Sequence, residues 1–221
     1  KKIFLQMKFS AFIPIKYKSE RVKDKNFTLI KDKPLFFYII NTIKSIDLID
    51  QILIDTDDEK VIEIIEEYFT GIDFKIREDN LKDPTESVNN IIKSNLDKIN
   101  NDFIFQTHTT NPLLKEKTIN KALEEYINNK RPIFSVNVFQ SRFYDQELNP
   151  INHNPEELIP TQELDFIYEE NSNFYIFSKE QFKDNNFKRI GKESLYFSTN
   201  KSESIDIDNE EDLELIKKII E

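Results

Sequence analysis

Cysteine is absent from all 221 residues, which excludes disulfides, thiolate metal sites and cysteine nucleophiles together. No apolar run approaches the roughly 18 residues that a bilayer-spanning helix needs, and no signal-peptide pattern is present. These absences lead to the expectation of a soluble, cytoplasmic chain with no membrane partner. Positive charge is in deficit: 31 Lys and Arg stand against 41 Asp and Glu, for a net charge of −10. Such a balance makes general attraction to nucleic acid unexpected, so any phosphate-binding site has to be a local basic cluster on an acidic surface. What is present suits a folded domain. Hydrophobic residues make up 38% and charged residues 33% of the chain, and the length fits one compact unit, so residues 1–221 are read as a single domain.

The hydrophobic pattern alternates strand with helix. Residues 8–15 read as a buried first strand. Residues 34–46 carry Leu35, Ile39, Ile43 and Ile46 at helical spacing, with Pro34 near the first turn. Strands are predicted at 51–55, 73–76, 102–106 and 132–139, and helices at 58–69, 87–99 and 116–128. This order predicts an α/β fold in which a mostly parallel sheet is covered by helices on both faces. From 140 to 170 the pattern breaks, with Pro150, Pro155 and Pro160 and no helical period, so the stretch reads as an insertion. Further short strands are predicted at 173–177 and 204–207. A closing amphipathic helix covers 210–220, with Asp208 or Asn209 as its N-cap.

Ligands of an open parallel sheet bind beyond the carboxyl ends of its strands. After the first strand, Lys16, Lys18, Arg21, Lys23 and Lys25 crowd into ten residues. A solvated charged loop and a polyphosphate site both fit that crowding. After the second strand, Asp58 reads as a helix cap, with Asp57 beside it. After the fourth, Gln106 to Pro112 offers a dense set of hydrogen-bonding side chains, and His108 within it reads as a loop histidine rather than a base. Near the C-terminus, alternation in Ser204-Ile205-Asp206-Ile207-Asp208 places both carboxylates on one face. Two such carboxylates make a hard oxygen site of the kind Mg²⁺ accepts, although an ordinary solvent-facing strand gives the same pattern.

Taken in order, these motifs resemble the acylneuraminate cytidylyltransferase family, the CMP-sialic acid synthetases and their relatives. The resemblance rests on Ile13-Pro14-Ile15-Lys16 through Ser19, Lys25 and Asn26, on Lys33-Pro34-Leu35, and on Asp55-Thr56-Asp57. It continues in Thr109-Thr110-Asn111-Pro112-Leu113, Glu170-Asn171-Ser172-Asn173 and Ser204 to Asp208. It implies a Rossmann-like nucleotidyltransferase fold. The implied reaction joins the anomeric hydroxyl of an acidic keto sugar to the α-phosphate of CTP and releases pyrophosphate.

By the same resemblance, Lys16 and Lys25 contact the triphosphate, while Ser19 and Asn26 bind phosphate or base. Ser87 lies where the family contacts the ribose and Gln106 where it contacts the sugar. Thr110 and Asn171 are substrate-binding candidates within their motifs, and Arg21 is added as a further cation of the loop. Asp206 and Asp208 hold Mg²⁺, the implied cofactor. The insertion corresponds to the family's dimerisation arm, which implies a homodimer and makes Arg142 a candidate contact to the sugar carboxylate. Two departures stand out: the first loop has Lys16 where the family usually carries arginine, and it has no glycine. A glycosyltransferase of related fold and a non-catalytic nucleotide-binding homologue are the competing readings. The late Asp206/Asp208 pair weighs against the first, and the retained lysines and aspartates weigh against the second.

Overall fold

Strand alternation in the first apolar run decides which side of the sheet each residue serves. In β1 (Phe9–Ile15), Phe9, Ala11, Ile13 and Ile15 join one large core cluster, while Phe12 joins a second cluster on the opposite face. The computed structural model describes residues 7–19 and 22–220. Seven strands form one sheet: β1, β4 (Ile49–Thr56), β5 (Asp73–Ile76), β6 (Phe103–Thr107), β7 (Ile133–Phe139), β8 (Ile167–Ser178) and β9 (Leu195–Ser198). Their order is β5-β4-β1-β6-β8-β7-β9, with only β8 running antiparallel to its neighbours. A separate two-stranded hairpin, β2 (Leu29–Ile30) and β3 (Lys33–Pro34), turns through Lys31 at φ 52°.

Helices cover both faces, as the sequence predicts. On one side, α1 (Leu35–Lys44), α2 (Glu59–Glu66) and α4 (Glu116–Asn129) contribute Phe36, Ile39, Ile65, Leu123 and Tyr126 to the larger cluster. On the other side, α3 (Val88–Ser94) and α5 (Lys179–Asp184) bring Ile91, Ile92 and Phe182 against Phe12, Ile104 and Phe177. Each fully buried aliphatic or Phe side chain contributes about 1.5–3 kcal/mol. Local chemistry sets the helix starts. Asp58 caps α2 by accepting from the Lys60 backbone at 2.9 Å, and Ser178 and Gln181 form a capping box on α5.

The structure departs from the sequence reading near the C-terminus. Residues 204–208 form no strand; the last sheet strand is β9, several residues earlier. The Ile-x-Ile alternation is explained by packing alone. Ile207 is fully buried in a third cluster with Val22, Ile30 and Leu35, and with Leu213 and Ile216 of α6 (Glu210–Ile220), while Ile205 packs against its edge. One backbone bond, from Ile207 N–H to the Thr110 carbonyl at 3.2 Å, ties the segment to the loop after β6. Asn209 is the cap: its side chain accepts from Asp212 N–H at 3.0 Å, and the Asp212 carboxylate accepts from the backbone of residues 208 and 209. The insertion is also shorter than expected, because residues 167–170 already belong to β8.

Candidate active site

The strand order reverses between β1 and β6, since the chain moves from β1 outward through β4 and β5 and then returns to pair β6 with β1. A cavity of about 600 Å³ opens there, beyond the carboxyl ends of the parallel strands. Among the described residues five cations line it, Lys16, Lys18 and Lys25 after β1, Arg77 after β5, and Lys82, against the two carboxylates of Asp57 and Glu86. In a chain of net charge −10 that convergence is a local reversal of sign.

Side chains hold the loop after β1 in place of the missing glycines. Asn26, buried to 6% exposure, donates to the Lys16 carbonyl at 2.8 Å and accepts from the Thr109 hydroxyl at 2.5 Å. Asp24 takes the left-handed φ of 52°, a conformation that Asp tolerates better than most residues. The Lys16 ammonium donates to the Pro84 carbonyl at 3.0 Å across the cavity. Lys25 donates to the Ile207 carbonyl, between the two aspartates. The third core cluster therefore seats the lysine loop and the aspartate segment on the same small platform, through Val22 and Ile207.

The expected site residues fall into two groups. Lys16, Ser19, Lys25, Asn26 and Thr110 line the one cavity. Asp206 and Asp208 are half-buried on the segment that Lys25 and Thr110 grip. The others sit apart from its lining. Ser87 is exposed and spends its hydroxyl on the Asn89 N–H as the cap of α3, although its neighbours Glu86 and Val88 reach the cavity. Gln106 is fully buried behind His108. Asn171 gives its amide to Asn137 at 3.0 Å and Thr199 at 2.7 Å, between strands. Arg142 bonds the Ile159 carbonyl at 2.6 Å inside the insertion. Arg21 lies outside the described residues.

Two residues gain a place that the sequence did not assign. Arg77 is 2% exposed and pairs its Nε with Asp55 at 2.6 Å, while Asn95 donates to the other Asp55 oxygen at 2.8 Å. Burial pushes the Asp55 carboxyl above its usual range, and the Arg77 charge and Asn95 amide pull against that rise. The two terminal nitrogens of Arg77 are buried and make no hydrogen bond among the described residues. The signal in the sequence was its position, one residue past β5. The second is His108, which lines the cavity wall. Burial, then the charges of Arg189 and Lys25, push its pKa down to about 3, so the ring is neutral at ordinary pH.

Comparison with known proteins agrees with this geometry. A family model described as cytidylyltransferase matches residues 10–221. The pseudaminic acid cytidylyltransferase of Campylobacter jejuni (subsp. jejuni serotype O:2) is 26% identical over 223 residues, covering 96% of this chain and 95% of that protein. The N-acylneuraminate cytidylyltransferase of Escherichia coli O18:K1:H7 is 25% identical over 96% of this chain and 52% of its own length. Among solved structures, a CMP:2-keto-3-deoxy-manno-octonic acid synthetase complexed with CTP superposes with a TM-score of 0.71. It is only 10% identical, covering 96% of this chain and 98% of that one, and so speaks to the fold. With that fold, a cation-lined cavity at the reversal of strand order and a family match across nearly its whole length, the chain belongs to the cytidylyltransferase family and is a nucleotidyltransferase.

Proposed function

We propose that the enzyme transfers CMP from CTP to the anomeric hydroxyl of an acidic keto sugar. The sugar oxygen bonds to the α-phosphorus, the bond from that phosphorus to the bridging oxygen breaks, and pyrophosphate leaves. The observation that carries this reading is the cavity itself, where Lys16, Lys18, Lys25, Arg77 and Lys82 converge at the strand ends. A triphosphate needs several cations at short range, and phosphoryl transfer asks mainly for positioning and charge stabilisation. The acceptor is supported by the relatives, whose names specify pseudaminic acid and N-acylneuraminate. Arg77 adds positive charge to the cavity wall from a buried place beside Asp55.

Asp206 and Asp208 suit Mg²⁺. Among the described residues no group of three His, Asp or Glu side chains forms a metal cluster. Two carboxylates fit the way Mg²⁺ binds when waters and substrate phosphates complete its shell. Bound there, Mg²⁺ would stabilise charge on the phosphates and lower the pKa of the sugar hydroxyl. The chain's part is to fix the aspartates, through buried Ile207 and the Lys25 bond to its carbonyl. Pyrophosphate release with CTP, Mg²⁺ and a panel of acidic keto sugars tests the reading. Release with at least one of them is expected, and none with any sugar despite CTP binding would overturn it.

The insertion supports a second copy of the chain as its partner. It keeps its shape through its own bonds, with Asp145 accepting from the backbones of Glu147 and Asn149. Several of its apolar side chains point outward: Leu148 is 77% and Leu158 88% exposed, and Tyr144, Ile151 and Phe166 are exposed too. Such a patch is costly in water and marks an interface. Light scattering is expected to give twice the chain mass at micromolar concentration, and a monomeric mass would remove the dimer. No helix among the described residues is long and apolar enough to cross a membrane. A cytoplasmic setting remains part of this proposal.

A further inference from the structure

Behind the cavity wall, Arg189 occupies an unusually determined position. Its Nε donates to the Asn89 carbonyl oxygen of the side chain at 3.0 Å, and its guanidinium carbon stacks 3.9 Å from the centre of the Tyr175 ring. The Tyr175 hydroxyl is itself engaged with Glu170 and Ser172, so the ring is anchored. A terminal nitrogen of Arg189 bonds Gln106 Oε1. The Gln106 Nε2 lies 3.1 Å from the Thr107 carbonyl and 3.0 Å from His108 Nε2.

Donor and acceptor rules force every choice along this chain. A guanidinium only donates, so the Gln106 atom facing it has to be oxygen. A carbonyl only accepts, so the Gln106 atom facing Thr107 has to be the NH₂ group. That NH₂ then meets His108 Nε2, which accepts only when it carries no proton. A neutral imidazole keeps one proton, and it is left on Nδ1. Nδ1 has no hydrogen-bond partner among the described residues, and His108 lines the cavity beside Lys25, Thr109 and Thr110.

Resting on the proposed reading that this cavity holds the substrates, we infer that Arg189 and the Thr107 carbonyl, acting together through Gln106, fix His108 as the Nδ1–H tautomer, a neutral donor aimed at an acceptor oxygen of bound substrate. The low pKa of His108 supports the assignment, because burial and the two neighbouring cations keep a second proton off the ring. The arrangement suits the site. A cavity that already gathers five cations gains a directional donor without another charge. Arg189 is a positioning residue here, and Gln106 transmits its orientation from a fully buried place. Phosphate, carboxylate and ring oxygens of the two substrates share the accepting chemistry.

Nitrogen-15 spectra of the imidazoles test this directly, and the chain has only two histidines to assign. Wild-type His108 is expected to show a protonated Nδ1 and a bare Nε2 at neutral pH, with the signal identified by its loss in His108→Gln. Arg189→Lys, whose ammonium also only donates, is expected to keep that tautomer. Arg189→Met removes one of the two groups that orient the Gln106 amide and leaves the Thr107 carbonyl, so a fraction of the Nε2–H tautomer should appear beside the Nδ1–H form. It should also raise KM for one substrate about tenfold, the scale of one lost hydrogen bond, with a smaller change in kcat. A rise for CTP assigns the oxygen to the nucleotide; a rise for the sugar assigns it to the acceptor. A bare Nδ1 in the wild type, or an unchanged tautomer and unchanged KM values in folded Arg189→Met, would overturn the inference. If Arg189→Met does not fold, the wild-type and Arg189→Lys spectra decide it. An intact tautomer in a protein that releases no pyrophosphate would count against the reaction and leave the relay standing.

Discussion

Replacing Asp208 with alanine is expected to lower pyrophosphate release from CTP by on the order of 10³-fold while leaving the protein folded. The magnitude follows from the role. Charge stabilisation by a metal at the transferring phosphate is worth several kcal/mol, and about 4 kcal/mol corresponds to three decades of rate. The retained fold follows from the division of labour in residues 204–212. Ile205 and Ile207 supply the packing, Ile207 at 0% exposure. Asn209 and Asp212 supply the helix cap. The Asp208 carboxylate is half-buried beside the lysine loop, outside both the packing and the cap. Initial rates over a Mg²⁺ titration, with a thermal melt of each protein, check the expectation. Near-normal turnover in the variant would remove Asp208 from the metal site.

Most of the fold could be read because its elements are long and strongly periodic. Strands β1, β4 and β6 are buried on both faces and read as apolar runs, and helices α1, α2 and α4 bury one stripe, which leaves a helical period in the sequence. What was missed is short or polar. α5 has six residues, too few to show a helical period, and the four-residue β9 was missed as well. The start of β8 carries the exposed polar residues Glu169 and Glu170, and its register shifts against β7 between Phe134 and Val136, so apolar alternation is lost there. The false strand at 204–207 arose because two isoleucines can share a cluster without a ladder. At the site, the strand-end rule found Lys16, Lys25, Asn26 and Thr110. Gln106 lies one step inside the rule's reach: residues 104 and 106 share a face of β6, and His108, beyond the strand end, is the one that meets the cavity. Arg77 obeys the same rule, but its weight comes from Asp55, 22 residues earlier, and no local pattern carries that pairing.

That pairing supports the second large effect. Asp55→Ala is expected to destabilise the fold by about 3–5 kcal/mol, the usual cost of removing one partner from a buried ion pair. Asp55 is 0% and Arg77 2% exposed, so water cannot replace the lost carboxylate. The cost arises mainly from leaving a buried guanidinium uncompensated rather than from losing a favourable pair. Burial already pushes the Asp55 carboxyl upward despite Arg77 and Asn95, a sign that desolvation outweighs the attraction. It follows that removing both charges should cost less than removing one. Asp55→Leu combined with Arg77→Met is expected to recover most of the stability lost in Asp55→Ala, as read from urea unfolding midpoints. The double variant should bind CTP less tightly than the wild type, because it removes one of the cations on the cavity wall. Calorimetric CTP affinity near that of the wild type in the stable double variant would make Arg77 a structural cation only. Lost affinity in a protein of restored stability would separate its two roles, as counter-charge to Asp55 and as a cation of the cavity wall.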